Sequence, residues 1–294
     1  MRGISMKIIA YLCVLLLLIG MLSGCVAKEE PADIAATTLP VYQFTQLLCE
    51  GTGLTVTRLI TENVSCLHDY ALTVNQVKAV ESANLIVING AGLEDFMDDL
   101  LKGKNVIDSS AGIQLLEGCH DHDHEGHTHE MDPHIWLSVA NATMIAMNVY
   151  NGLCHAYPEH ADTFHSNMHS LMQKLQELDT YAKQMLQDLS CRELITFHDG
   201  FAYLADAYDL TILAAVEEEA GSEVSSQALI ELIELVRDHN LIAIFMEENG
   251  SDAAAKIIST ETGVNLYILN MAMAGDDYFE AMYHNINTLR EALK

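Results

Sequence analysis

The sequence predicts an α/β protein in two small lobes, each a parallel sheet flanked by helices, joined by one long helix. Three observations carry that expectation. Short apolar runs alternate with segments of helical spacing between Ile34 and Asp108. The same alternation runs from Glu193 to the end of the chain. Between the two, Pro158 to about Leu189 keeps one helical period for about 30 residues, long enough to bridge two lobes.

In the first block, Ile34 to Thr38 reads as a strand, Val41 to Leu48 as a helix and Leu54 to Ile60 as a strand. Thr73 opens an amphipathic stretch through Ser82, and Leu85 to Asn89 is a buried strand closed by Gly90 and Gly92. Leu93 to Leu101 adds a helix and Asn105 to Asp108 a strand. Such a βαβ rhythm implies a parallel sheet, and open sheets of that kind bind ligands at the carboxyl ends of their strands. The long helix has Pro158 near its first turn and Phe164, Met168, Leu171, Leu175, Leu178 and Met185 along one face. Beyond Cys191 come strands at Glu193 to Phe197, Thr211 to Val216, Ile242 to Met246 and Asn265 to Leu269. Helices lie between and after them, at Gly200 to Tyr208, Ser226 to His239, Ser251 to Thr262 and from Tyr278 onward, with Ser225 or Ser226 as an N-cap.

The 294 residues, half of them apolar, can bury ample core. With 14 basic and 42 acidic residues the formal charge is −28, a surface that repels nucleic acid. Arg2 and Lys7 precede an apolar run from Ile8 to about Leu22, too short to span a membrane and followed by small residues, the layout of an export signal. Leu22-Ser23-Gly24-Cys25 resembles a bacterial lipobox, which would make Cys25 the lipidated N-terminus and anchor the protein to the cell membrane outside the cytoplasm. The expected organisation is a signal peptide over 1–24, a tether over 25–33, an N-terminal lobe over 34–157, a linking helix over 158–189 and a C-terminal lobe over 190–294.

The segment from Cys119 to Trp136 holds six histidines and five carboxylates, a composition that cannot build a core and can collect divalent transition metals. Its residues 119–130 form a histidine-rich loop. His68, His134 and His198 each fall in a loop beside a predicted strand or helix, from distant parts of the chain. Three neutral imidazoles and one carboxylate would fill a tetrahedral shell around zinc, although spacing alone leaves their convergence open. His155, His160, His165 and His169 lie at or near the start of the long helix and read as a polar face, although His165 and His169 have the i,i+4 spacing of a chelating pair. Cys49, Cys66, Cys119, Cys154 and Cys191 show no CxxC pair and are expected as thiols, not bridges.

Several motifs occur in an order that resembles a known family. They are His68-Asp69-Tyr70, Asn89-Gly90-Ala91-Gly92-Leu93-Glu94, Asp132-Pro133-His134-Ile135-Trp136-Leu137, and Phe197-His198-Asp199-Gly200-Phe201 with Tyr203-Leu204. Phe245-Met246-Glu247, Glu261-Thr262-Gly263 and Gly275-Asp276-Asp277-Tyr278 extend the match toward the C-terminus. Together they resemble the zinc/manganese ABC transporter solute-binding lipoproteins of the zinc-uptake type. The chain departs from the family pattern at Cys66-Leu67 and at Ala71-Leu72-Thr73-Val74, where an acidic, proline-containing turn is more usual.

The resemblance implies that His68 and His134 from one lobe and His198 from the other bind the metal, with Asp276 as fourth ligand. Glu247 becomes an acid near the site, and Asp277 either an alternative ligand or the cap of the last helix. The histidines at His120, His122, His124, His127 and His129 would gather or sense zinc near the cleft. The expected protein is a monomer that captures Zn2+ and passes it to the permease of an ABC uptake system. Three nitrogen donors favour zinc over Mn2+, the runner-up. A zinc hydrolase is disfavoured, since HExxH is absent and a fully protein-ligated ion leaves no activated water. A metal-binding surface adhesin is the other alternative.

Overall fold

Two four-stranded sheets, parallel throughout, organise the chain. A computed structural model describes residues 32–62, 67, 70–118, 131–217, 224–248, 253–273 and 275–294. The export signal, Cys25, Cys66, His68, Cys119 and the histidine tract at 119–130 lie outside the described residues.

The first sheet contains β1 (Ile34–Ala36), β2 (Val56–Arg58), β3 (Leu85–Ile88) and β4 (Val106–Asp108), in the order β2-β1-β3-β4. The second contains β5 (Glu193–His198), β6 (Thr211–Glu217), β7 (Ala243–Glu247) and β8 (Asn265–Leu269), in the order β6-β5-β7-β8. The two orders are the same topology repeated. In each, the connection reverses direction between the two central strands, and such a switch point leaves a crevice at the strands' carboxyl ends. Thr37 and Asn89 follow β1 and β3, while His198 and Glu247 end β5 and β7.

Helices α1 (Leu39–Cys49), α2 (Val74–Ser82) and α3 (Asp98–Leu101) belong to the first half. Thr73 and Gln76 form a reciprocal capping box on α2. The span read as a helix over Leu93 to Leu101 is broken, with a tight turn at Asp95–Met97 before the single turn of α3. A helix absent from the expectations, α4 (Val139–Ala156), follows the turn at Ile135–Leu137 and is capped by the Ser138 side chain. It buries Val139, Ala142, Ile145, Ala146, Val149 and Leu153 on one face.

The long helix α5 runs over Ala161–Leu186, because Pro158–His160 forms a separate tight turn. At 1.5 Å per residue it is about 39 Å long. Its buried stripe is Phe164, Met168, Leu171, Leu175, Leu178, Ala182 and Leu186, so the last turn of the seam falls on Leu186 and not on Met185. His155 lies in the last turn of α4, not on the long helix. The second half adds α6 (Ala202–Ala207), α7 (Ser226–Asp238), α8 (Ala253–Thr262) and α9 (Tyr278–Leu293). Ser225 caps α7 and Asp277 caps α9 through their side chains.

One continuous core runs through the first sheet, α5 and the near face of the second sheet. A smaller core lies under α7 and α8 on the far face. The halves also meet directly. Trp136 Nε1 donates to Met271 O at 2.7 Å, Tyr278 OH donates to Trp136 O at 2.8 Å, and Leu39 N donates to Met273 O at 3.2 Å. Among the described residues Cys49, Cys154 and Cys191 are free thiols, and no helix is long and apolar enough to cross a membrane.

Gly152 sets how closely α4 lies on the edge strand β4. A Cβ there would sit 2.4 Å from Ile107 Cδ1 and 2.5 Å from Cγ1. Gly152→Ala is therefore expected to destabilise the fold by about 1–3 kcal/mol through overpacking, outweighing the gain of up to about 1 kcal/mol in helix propensity. Urea unfolding checks this, and an unchanged or raised midpoint would contradict it.

Candidate metal centre

His134 and His198, from opposite halves of the chain, meet at the seam. Their ring centroids are 5.3 Å apart and the planes perpendicular, and both residues are buried. His198 arrives as the last residue of β5, a central strand. His134 arrives on the segment that turns into α4, with its conformation set by Asp132. One oxygen of that carboxylate, Oδ1, accepts from both His134 N at 2.8 Å and His134 Nδ1 at 2.7 Å. A carboxylate accepts, so Nδ1 is the donor in this bond, and Nε2 is the ring nitrogen left for another partner. Nε2 is buried and has no hydrogen-bond partner among the described residues. A histidine held by a carboxylate at one nitrogen, with the other turned into a site, is the usual arrangement of a metal ligand.

Gly200 forms the floor of the pair. A Cβ on it would fall 2.6 Å from Met271 Cε, 2.9 Å from His198 Cδ2 and 3.2 Å from His134 Cε1. Trp136 packs edge-on against His134 at 5.4 Å between centroids. Glu247 ends β7 and is buried. Thr196 pairs with Phe245, and that register carries His198 and Glu247 to the same level two residues further on.

On the other side of the seam, Glu94 locks the switch point of the first sheet. Its Oε1 accepts from the Thr37 hydroxyl at 2.6 Å and Asn89 N at 2.8 Å, and its Oε2 from Gly90 N at 2.9 Å. Asn89 in turn donates from Nδ2 to Pro133 O at 3.1 Å, next to His134. Burial pushes the Glu94 carboxyl up to about 7, against three donors that pull it down. With its folded pKa above the ordinary value, the native state binds more protons than the unfolded chain between about 4.5 and 7. Stability is therefore expected to fall as pH rises through that window, by up to about 1.4 kcal/mol per pH unit. Glu94→Gln, which turns an amide toward a backbone N–H, costs about 1–3 kcal/mol and removes this slope. Denaturant unfolding of chelator-treated protein from pH 5 to 8 reads both, and equal slopes in the two proteins would refute the assignment.

The two adjacent aspartates separate clearly. Asp277 Oδ1 accepts from Glu280 N at 3.0 Å and Oδ2 from Gln43 Nε2 at 3.0 Å, so both its oxygens are engaged in capping α9 and tying it to α1. Asp276 is exposed. Arg58, at the end of β2, donates to Gly275 O at 2.6 Å. Its guanidinium pKa is lowered by burial, with the nearby Asp276 charge opposing that shift. Among the described residues no three His, Cys, Asp or Glu side chains are gathered closely enough to hold an ion. Of the four expected ligands, then, His134 and His198 come together, Asp276 joins no such set, and His68 lies outside the described residues. Sequence reasoning quoted Asp132 and Gly200 within motifs but gave neither a role. The available signal was the Asp-Pro-His spacing, which places a carboxylate two residues from an imidazole.

The chain matches, over residues 34–292, the family described as zinc-uptake complex component A, periplasmic. It is 31% identical to the zinc-binding lipoprotein AdcA of Streptococcus pneumoniae strain R6 over 314 aligned positions, covering 99% of this chain and 61% of that protein. The chain thus spans about three fifths of the length of that relative. Among solved structures, the crystal structure of ZnuA superposes with a TM-score of 0.79 at 28% identity, covering 90% of this chain and 100% of the other. Zn(II)-bound AdcA from Streptococcus pneumoniae gives 0.76 at 29% identity, covering 90% of this chain and 58% of the other.

Proposed function

The chain belongs to the zinc-uptake complex component A family, and from that premise we propose that it is the extracytoplasmic solute-binding component of a zinc ABC uptake system. One observation supports this reading above the others. Two buried imidazoles from separate halves of the chain lie with their ring centroids 5.3 Å apart, one of them held at Nδ1 by a carboxylate while its buried Nε2 has no hydrogen-bond partner among the described residues. Neutral nitrogen donors suit zinc, whereas manganese favours oxygen-rich shells.

His68 and Asp276 complete the shell in this proposal, and Glu247 is the acid beside it. Asp277 is left to its cap. The tract from His120 to His129 gathers zinc near the seam, and a lipid on Cys25 tethers the monomer to the membrane. The ion is cargo, delivered to a permease without any bond being made or broken in substrate, so the protein is not an enzyme.

The full chain, stripped of metal by a chelator and then offered Zn2+ and Mn2+ in competition, tests the reading. One zinc per chain is expected to resist exchange against excess manganese. Retention of manganese with loss of zinc would overturn the choice of metal, and failure to retain either would overturn the function.

A further inference from the structure

The chain on either side of residues 119–130 is paired. Glu117 faces Met131 in an antiparallel bridge, and Asp132 N donates to Leu116 O at 2.9 Å. In a regular antiparallel ladder the companion bond would run straight from Leu116 N to Asp132 O. Here the Tyr203 hydroxyl occupies that place. It accepts from Leu116 N at 2.9 Å and donates to Asp132 O at 2.9 Å. Tyr203 stands on α6 in the second half of the chain and is buried. A side chain from one half therefore closes a rung in the backbone of the other.

Asp132 is held through three of its groups. Its N–H and its carbonyl belong to this paired neck, while its Oδ1 orients the His134 ring at 2.7 Å. We infer that Tyr203 is a positioning residue for metal capture, its hydroxyl fixing Asp132 and through it the His134 imidazole. The site is thereby coupled to the neck between which the histidine tract runs. This inference rests on the proposed reading of His134 as a ligand. Removing the hydroxyl leaves a backbone N–H and a carbonyl either unpaired or drawn into a direct bond. Either outcome shifts Asp132, and the short Nδ1 to Oδ1 bond transmits the shift to the ring.

Tyr203→Phe tests this, with Tyr208→Phe as a matched control. Tyr208 is a buried tyrosine of the same half whose hydroxyl has no hydrogen-bond partner among the described residues. Both are made in the full chain and loaded with one equivalent of metal, Zn2+ for dissociation into a chelator and Co2+ for its absorption spectrum. Tyr203→Phe is expected to speed zinc dissociation about 3- to 30-fold, toward the 10–100-fold range of lost outer-shell partners, and to shift the Co2+ bands. Tyr208→Phe is expected to match wild type in both. A Tyr203→Phe protein with wild-type dissociation and spectrum, or one no different from Tyr208→Phe, overturns the inference even if its melting temperature falls. His134→Ala in the same assays separates the two levels. If it retains wild-type binding, the ligand reading fails and takes the inference with it; if it loses binding while Tyr203→Phe is unaltered, the inference alone fails.

Discussion

His134→Ala and His198→Ala are each expected to weaken zinc binding by about 100- to 1,000-fold. The magnitude follows from dividing roughly 10–16 kcal/mol of zinc-site binding energy over four ligands, about 2.5–4 kcal/mol for each. Neither loss is readily compensated, because both rings are buried and water would have to enter between packed Trp136 and Met271 to replace them. Asp276→Ala is expected to cost less than that equal share, about tenfold or 1.4 kcal/mol, since water can take the place of an exposed carboxylate. Competitive titration against a chelator of known affinity gives the three constants, and unfolding of the metal-free variants shows whether the fold is intact. Near wild-type affinity in either histidine variant, with the fold intact, would mean that zinc is held elsewhere.

The sequence made the repeating elements visible because burial imposes a period on them. The strand at Asn265–Leu269 and the start of the last helix at Tyr278 were placed to the residue, since apolar runs bounded by Gly263 and by the Asp277 cap leave little choice. Helix α4 escaped although Val139, Ala142, Ile145, Ala146, Val149 and Leu153 keep helical spacing, because exposed Met144 and Met147 place apolar residues on the opposite face and blur the contrast between the two. The order of strands was also beyond reach. Parallel pairing is non-local, and nothing in the run of residues says that β1 lies between β2 and β3.

The histidines show the same division. Their candidacy came from composition and from family resemblance, whereas the meeting of His134 with His198 depends on two switch points facing each other across a seam. What holds the pair in place is less visible still. Asp132 left a signal in the Asp-Pro-His spacing, whereas Asn89, Glu94 and Tyr203 act through partners distant along the chain, contacts that residue identity alone does not reveal.

Gly200→Ala is expected to lower zinc affinity by about 10- to 100-fold while leaving every proposed ligand in the sequence. The backbone does not require glycine at this position for its conformation, so the effect is one of space. The added methyl carbon would lie 2.6 Å from Met271 Cε, 2.9 Å from His198 Cδ2 and 3.2 Å from His134 Cε1. The methionine end can swing away, since its thioether chain is flexible. The rings have less freedom: His134 is tied by the Asp132 carboxylate and His198 is fixed to the end of a buried central strand. Relief must come from pushing the imidazoles apart by a few tenths of an ångström. Zinc–nitrogen distances tolerate about 0.2 Å, so the displacement reaches the limit of the site. Overpacking should also cost about 1–3 kcal/mol of stability in the metal-free protein. Zinc dissociation rates and the Co2+ spectrum of Gly200→Ala would register the displaced rings. Affinity within twofold of wild type would show that the floor yields and that the spacing of the two histidines is not set from below.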